Sequence, residues 1–279
     1  MSQVCPVCNQ SHPKEKLIRG TLFFYCRNCH LLWRTEQATM DDNTQGYHDS
    51  NEMFQVSDTK RFLYEGFLAK TEKRIGGPGR LLDVGCAQGE FLVVARERGW
   101  DVVGVEPVKE LCDVVSKNGF EVICGVTSDV PDDIEPFDLV TYWDVICFIR
   151  EPKVEMKKVH GLLKYGGEIL IRIRQHRVLR FFDAIWSMGF NLVFKKNPVV
   201  YHPMNFEPHT FRTLFGEMGL KCKVSNGEMS RSDVYETGKS KRVVSFLKTL
   251  LRNTVKAIGF LSGERMILSP TMIIQYWKK

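Results

Sequence analysis

The chain has 279 residues, of which 43% are hydrophobic and 26% charged. This composition supports one large globular domain, or one domain with a small appendage, and it does not favour a largely disordered chain. The formal net charge of +6 permits an anionic partner without requiring one, and no apolar run suits a signal peptide or a spanning helix, so we expect a cytoplasmic protein.

The first predicted element is a small zinc ribbon over residues 1–37. Two C-x2-C pairs separated by 17 residues have the spacing of a tetrahedral four-thiolate site: Cys5, Cys8, Cys26 and Cys29. Four thiolates leave no open coordination position, so we expect the Zn²⁺ to be structural. His12 and His30 lie near enough in the sequence to replace one cysteine. In a reducing cytoplasm, the nine cysteines favour metal ligands and buried thiols over disulfides.

A polar, acidic stretch predicts a linker over residues 38–57, followed by a main domain over 58–279. The domain begins with a helical pattern that has Ser57 as its possible N-cap and four apolar positions on one face: Phe62, Leu63, Phe67 and Leu68. Strand patterns then follow at 80–84, 101–106, 120–124, 137–143 and 168–174, with helices near 89–98, 108–117 and 152–163. Near-continuous apolar strands between helices predict a doubly wound α/β fold with a parallel sheet.

The stretch LLDVGCAQGEF, residues 81–91, places a glycine-marked turn directly after the first strand of this domain, where such sheets bind ligands. A dinucleotide fingerprint starting at Gly85 would need two further glycines where the chain has alanine and glutamate, and no P-loop lysine follows. Carboxylates at Asp83 and Glu90 favour a cationic ligand over a pyrophosphate. Glu106, at the end of the next strand, is placed to accept hydrogen bonds from ribose hydroxyls. These residues suit a ligand that has a ribose without a phosphate and a positive charge next to it. S-adenosylmethionine fits this description.

Three motifs in register now show a resemblance to class I S-adenosylmethionine-dependent methyltransferases of sugar, lipid and secondary-metabolite pathways. They are LLDVGCAQGEFLVVARERGWDVVGVEP, FDLVTYWDV and VHGLLKYGGEILI. The resemblance covers roughly residues 60–225 and implies a Rossmann-like sheet of seven strands, the sixth at 220–226 and an antiparallel seventh at 271–279. It also implies a set of cofactor-binding residues: Asp83, Gly85, Ala87, Gly89, Glu106, Tyr142, Trp143 and Asp144.

The chain departs from these relatives after the fourth strand. Many relatives read W-D-V-x-E-H where this chain reads WDVICFI, so Cys147 and Phe148 replace a glutamate and a histidine. We therefore look for a catalytic base in residues 175–209, which the resemblance identifies as a lid over the acceptor. His202 is the first candidate, because it matches an H-x-x-x-F stretch of relatives and a following proline holds it in an extended conformation. The alternative role is to hold the lid closed, and His176 is the second candidate base.

The expected function is S-adenosylmethionine-dependent O-methylation of a small-molecule, sugar or lipid-linked acceptor. Two alternatives remain open: an RNA or other nucleic-acid methyltransferase that grips RNA through basic ribbon residues, and a cofactor-binding protein without catalysis. Residues 239–261 combine an apolar face with six basic residues and no acidic one. They suit either a crossover helix packed on the sheet or a surface that docks peripherally on an anionic membrane.

Overall fold

A computed structural model of the chain describes residues 4–34, 56–187, 200–227, 253 and 267–279. The expected linker lies outside the described residues except for its last two positions. The basic segment 239–261 lies outside them except for Asn253, so its packing and its membrane contact stay predictions. Within the described ranges, no helix combines the length and the apolar character needed to cross a membrane.

Eleven strands and six α-helices are described. The strands are β1 (Lys14–Ile18), β2 (Thr21–Tyr25), β3 (Leu32–Trp33), β4 (Arg80–Val84), β5 (Asp101–Glu106), β6 (Glu121–Cys124), β7 (Phe137–Trp143), β8 (Leu163–Arg174), β9 (Met204–Asn205), β10 (Lys223–Asn226) and β11 (Thr271–Trp277). The helices are α1 (Asp58–Ile75), α2 (Glu90–Glu97), α3 (Lys109–Lys117), α4 (Pro152–Leu162), α5 (His176–Ser187) and α6 (Pro208–Gly216).

The main domain is built on a seven-stranded sheet with the strand order β6-β5-β4-β7-β8-β11-β10. Neighbouring strands from β6 to β8 are parallel, and β11 pairs antiparallel with both β8 and β10. The predicted doubly wound seven-stranded fold is thereby confirmed. Strand β8 is longer than predicted, because Leu163 already pairs with Phe137 before a register irregularity. The carboxyl ends of β4, β5, β7 and β8 meet at one edge, where the glycine turn also lies.

Side chains alternate between the two faces of this sheet. Leu81 and Leu139 pack on the face that α1, α2 and α3 cover, whereas Leu82, Val140 and Tyr142 point to the face that α4 and α6 cover. Both faces are therefore buried, as near-continuous apolar strands require.

Helix α1 begins as predicted, with the Ser57 hydroxyl accepting the Lys60 N–H at 3.4 Å. Its buried stripe differs from the expectation, because Phe62 is 64% exposed while Tyr64 is 7% exposed. The buried residues of α1 are Tyr64, Phe67, Leu68 and Thr71. This spacing of three, one and three residues lies on one helical face, and Phe62 lies on another.

The ribbon forms a second sheet with the order β1-β2-β3-β9. Its fourth strand comes from the expected acceptor lid, since Leu32 pairs with Asn205 and Trp33 with Met204. Buried ribbon residues such as Leu31 belong to the same apolar core as Phe206 of the main domain. The ribbon is thus joined to the main domain both by a sheet and by a continuous core.

One cysteine pair departs from the expectation of free thiols. Cys112 of α3 and Cys124 of β6 form a disulfide, with their Cα atoms 5.8 Å apart. A short connection joins α3 to β6 and brings the two residues together. The spacing of the cysteines in the sequence did not predict this pair. The other seven cysteines form no disulfide.

Candidate functional site

The glycine turn closes directly over the end of β5. Gly85 has φ of 70° and its N–H donates to the Val105 carbonyl at 2.7 Å. A Cβ atom at Gly85 would lie 2.6 Å from the Val145 side chain, so glycine is required by space as well as by conformation. Ala87 also has a left-handed φ of 49°, and Gly89 has φ of 85°. The turn is a constrained backbone that α2 follows.

Glu106 holds this turn in place. Its Oε2 accepts the Ala87 N–H at 2.9 Å, and its Oε1 accepts the Val108 N–H at 3.0 Å. The side chain is buried, and desolvation raises its pKa while the two backbone N–H groups oppose the rise. Each carboxylate oxygen can accept a second hydrogen bond, so the group can organise the turn and still receive hydroxyl donors from a ribose.

Asp83 is a second buried carboxyl group at the same edge. It is 3% exposed, and its Oδ1 accepts the Thr141 hydroxyl at 2.7 Å. Burial raises the pKa of Asp83 to about 7, and the nearby Glu106 adds to the rise, while the Thr141 hydrogen bond opposes it. Both buried carboxyl groups have raised pKa values, so a cationic ligand beside them would stabilise their charged forms.

The resemblance assigns to the cofactor the last two residues of β7, Tyr142 and Trp143, and the next residue, Asp144, and the three side chains have different surroundings. Tyr142 is completely buried, and its hydroxyl donates to Glu155 of α4 at 2.6 Å, on the sheet face opposite Asp83. Trp143 packs at ring distances of 4.8 Å from Tyr64 and 4.9 Å from Phe91. The structure therefore gives Tyr142 a packing role in the core, and its contact with a cofactor stays a prediction.

Asp144 lies at the open end of β7 with a left-handed φ of 60°. Its carboxylate forms an ion pair with Arg172 of β8. Backbone strain at a non-glycine residue beside a ligand edge is typical of functional sites. Asp144 directly follows the carboxyl end of β7, at the sheet edge where the strands of Asp83 and Glu106 also end.

Two residues at this edge were missed by the sequence analysis. Tyr64 of α1 interacts electrostatically with Glu90 and Asp83, and burial raises its pKa. Arg172 is the partner of Asp144. An arginine inside the buried strand EILIRIR was a signal that could have identified Arg172, whereas nothing in the local pattern distinguishes Tyr64 from a core residue.

His202 lies beside the segment that follows β7. Its ring meets the Phe148 ring edge to face, with centroids 5.5 Å apart. Burial lowers the pKa of His202, and so does Arg174, while Asp144 acts in the opposite direction. The structure therefore brings His202 near the residues that follow β7, with Asp144 close enough to interact with it electrostatically.

His176 has a different environment. It is 2% exposed, its Nε2 has no hydrogen-bond partner among the described residues, and its ring lies 5.4 Å from that of Tyr201. Burial lowers its pKa to about 3, with Arg180 and Lys16 contributing further. A buried imidazole that resists protonation to this degree is a poor proton acceptor at neutral pH.

An open cleft of about 450 Å³ adjoins His176 on α5. Its lining residues are Arg177, Arg180, Phe181, Asp183, Ala184 and Tyr201. Helix α5 starts two residues after β8, so the cleft lies near the carboxyl end of that strand. Its lining combines basic, acidic and aromatic side chains.

The four ribbon cysteines form a compact, buried cluster. All four Sγ atoms lie within 4.8 Å of one another, with Cys5 to Cys29 at 3.4 Å and Cys8 to Cys26 at 3.5 Å. Thiolates bound to zinc at about 2.3 Å require sulfur atoms at this kind of separation. His30 faces Glu207 at 3.4 Å instead. The donor set fits zinc, and within the described ranges it contains cysteines alone.

Comparison with known proteins agrees with this geometry. The family model described as "Methyltransferase domain" matches residues 58–223, more than half of the chain. An uncharacterized protein of Methanocaldococcus jannaschii is 28% identical over 116 residues, which are 42% of this chain and 54% of that protein. The chain thus spans about half the length of the curated relative that it matches.

Solved structures show the same fold. The plantazolicin methyltransferase BpumL in complex with SAH has a TM-score of 0.54 at 15% identity, covering 86% of this chain and 89% of that one. The plantazolicin methyltransferase BamL, in complex with a triazolic desmethylPZN analog and SAH, has a TM-score of 0.55 at 16% identity, covering 87% and 92%. The PH0226 protein of Pyrococcus horikoshii OT3 has a TM-score of 0.53 at 14% identity, covering 84% and 99%.

Proposed function

Because the chain belongs to the family of methyltransferase domains, we propose that it transfers a methyl group from S-adenosylmethionine to an oxygen of a small-molecule, sugar or lipid-linked acceptor. The observation that carries the cofactor is the pair of buried carboxyl groups, Asp83 and Glu106, on either side of the constrained glycine turn. The presence of SAH in the BpumL and BamL structures supports the same cofactor.

In this proposal Glu106 accepts the ribose hydroxyls and Asp83 supplies negative charge for the cationic part of the cofactor. The turn from Gly85 through Ala87 to Gly89 lets the backbone approach the ligand closely. The bound cofactor provides an activated methyl group. The chain's remaining task is to hold an acceptor in line with that group and to exclude water.

His202 is the proposed proton acceptor for a hydroxyl substrate. It lies on the acceptor side, near Asp144, and its lowered pKa keeps the imidazole neutral and able to take a proton at neutral pH. His176 is less suited to this role, because its side chain is buried and because burial, together with Arg180 and Lys16, lowers its pKa to about 3. Cys147 is 1% exposed, and burial raises the pKa of its thiol, which favours its role as a core residue.

The volume of the cleft on α5, about 450 Å³, is in the size range of small-molecule sites, which supports a small-molecule acceptor. The plantazolicin methyltransferases BpumL and BamL are each in complex with a triazolic desmethylPZN analog, which supports an acceptor that is a small molecule. Two basic ribbon residues that RNA could have used are engaged within the chain, since Arg19 pairs with Asp183 and Lys16 lies over the Tyr25 ring. The four cysteines would hold Zn²⁺ as a structural ion.

A screen of cell extracts with methyl-labelled S-adenosylmethionine tests the proposal. Label in a small molecule or lipid fraction supports it, and label in RNA alone would overturn the acceptor class. His202→Ala should lower turnover by about 10²–10⁴-fold with cofactor affinity unchanged. His160→Ala, at a histidine that bonds Tyr276 on the far side of the sheet, is the matched control. Near-normal turnover of His202→Ala at saturating acceptor would exclude His202 as the base.

A further inference from the structure

One buried amide connects the ribbon backbone to the backbone of His202. Asn205 is 6% exposed, and its Nδ2 donates to the Leu32 carbonyl at 3.3 Å and to the His202 carbonyl at 2.7 Å. Its Oδ1 accepts the His202 N–H at 3.0 Å. Three of the four hydrogen bonds that an asparagine amide can make are therefore used to fix two chain segments to one another.

The turn that carries Cys26 and Cys29, here called the second knuckle, also contacts the segment that follows His202. His30 lies 3.4 Å from the Glu207 carboxylate, and the Asn28 carbonyl lies 2.9 Å from the His209 ring nitrogen. Residues 28 and 30 flank Cys29, one of the four clustered cysteines. The backbone of the knuckle is also closed on itself, because the Cys26 N–H donates to the Leu31 carbonyl at 2.9 Å.

A short physical path thus leads from the cysteine cluster to the acceptor side of the sheet. Leu32 is three residues beyond Cys29, and it pairs with Asn205 across the β3–β9 ladder. The Arg34 N–H adds a further bond to the Pro203 carbonyl at 3.0 Å. Pro203 directly follows His202, and the proline ring restricts the φ of Pro203. The position of the His202 imidazole therefore depends on where these hydrogen bonds hold the backbone.

We propose that the metal-bound ribbon positions His202 for the acceptor, and that Asn205 is the positioning residue through which it does so. This inference rests on the proposed role of His202. Without the metal, the knuckle at Cys29 loses the ligand bonds that fix Leu32. The ladder to β9 then no longer specifies one arrangement of His202. The cofactor turn makes none of these contacts, so cofactor affinity is expected to be independent of them.

The decisive readout is the nuclear magnetic resonance signal of the His202 ring, assigned by its absence in His202→Ala. Asn205→Leu removes all three amide bonds, and Asn205→Asp keeps only the acceptor for the His202 N–H. Asn118→Leu is the matched control, because Asn118 bonds Val114 at the end of α3, away from the site. The same signal is followed while zinc is removed by a chelator and then added back.

We expect both Asn205 variants and zinc removal to shift or broaden the His202 ring signal, with SAH affinity within about twofold of wild type by calorimetry. Turnover on an acceptor from the extract screen should fall roughly 10–100-fold, because small displacements of a reacting group have effects of this size. The Asn118 control should change neither quantity.

An unshifted His202 signal in both Asn205 variants would overturn the inference, and so would an unshifted signal after complete zinc removal. If Asn205→Leu fails to fold, Asn205→Asp and the zinc titration still decide the question. The ring signal needs no acceptor, so a failure of the proposed methyl transfer is distinguishable from a failure of this positioning.

Discussion

Because we propose that Asp83 contacts the cofactor, its raised pKa should make cofactor binding depend on pH, and one substitution should remove this dependence. Burial moves this pKa from 3.8 to about 7, a change worth about 4 kcal/mol against the charged form. The folded pKa lies above the unfolded one, so this carboxyl contributes most to stability below pH 4, and the contribution is lost as pH rises toward 7. Asp83→Asn should therefore stabilise the ligand-free protein at pH 8.

A cationic cofactor reverses this balance, because it favours the carboxylate. Affinity for S-adenosylmethionine should rise with pH up to about 7, with a slope of up to tenfold per pH unit below that value. Calorimetric titrations between pH 5.5 and 7.5 measure it, below the range in which an α-amino group titrates. Repeating them in buffers of different ionisation heat should show release of roughly half a proton at pH 7.

Two variants separate Asp83 from other titrating groups. Asp83→Asn should bind more weakly and lose the slope, since no carboxyl remains to ionise. Thr141→Val removes the hydroxyl that donates to Asp83, so it should shift the affinity curve to higher pH. The reasoning is refuted if wild-type affinity is flat over this range, or if Asp83→Asn keeps the wild-type slope.

Three further predictions concern the turn and the ribbon. Glu106→Ala should weaken cofactor affinity by about 1.5–3 kcal/mol, because a charged acceptor of hydroxyl hydrogen bonds is lost; unchanged calorimetric affinity would contradict the ribose assignment. Gly85→Ala should cost about 1–3 kcal/mol more in denaturant unfolding than Gly119→Ala, because both have positive φ but only Gly85 meets the Val145 side chain; equal costs would contradict the close approach. Elemental analysis of protein purified without chelators should find one zinc per chain, and finding none would exclude the metal site.

The sheet and its ligand edge were predictable because each strand carries its own signal. Continuous apolar runs between helices require burial on both faces, and the order of a doubly wound sheet brings the ends of the first strands together. Asp83 and Glu106 follow from those strand ends, and they lie at one edge in the structure. The resemblance supplied the antiparallel last strand, which pattern alone would not have placed.

The features that the sequence did not predict depend on contacts between distant parts of the chain. Tyr142 was assigned by its position near the end of a strand, but its hydroxyl donates to Glu155 of α4, on the sheet face opposite Asp83. The buried stripe of α1 was displaced because Tyr64 packs on Trp143, which the helix sequence does not show. Strand β9 has two residues and no local signal, since only the ribbon makes it a strand.

The β3–β9 ladder also has a consequence for how the protein is made. Leu32 and Asn205 are 173 residues apart, so the ribbon, with the Zn²⁺ that we propose for it, can fold long before its last strand leaves the ribosome. At 5–20 residues per second, β3 stays an unpaired edge for roughly 10–35 seconds. Leu32 and Trp33, buried in the finished protein, are then open to pairing with another chain. Slower translation or truncation before residue 204 should therefore promote aggregation that starts at the ribbon.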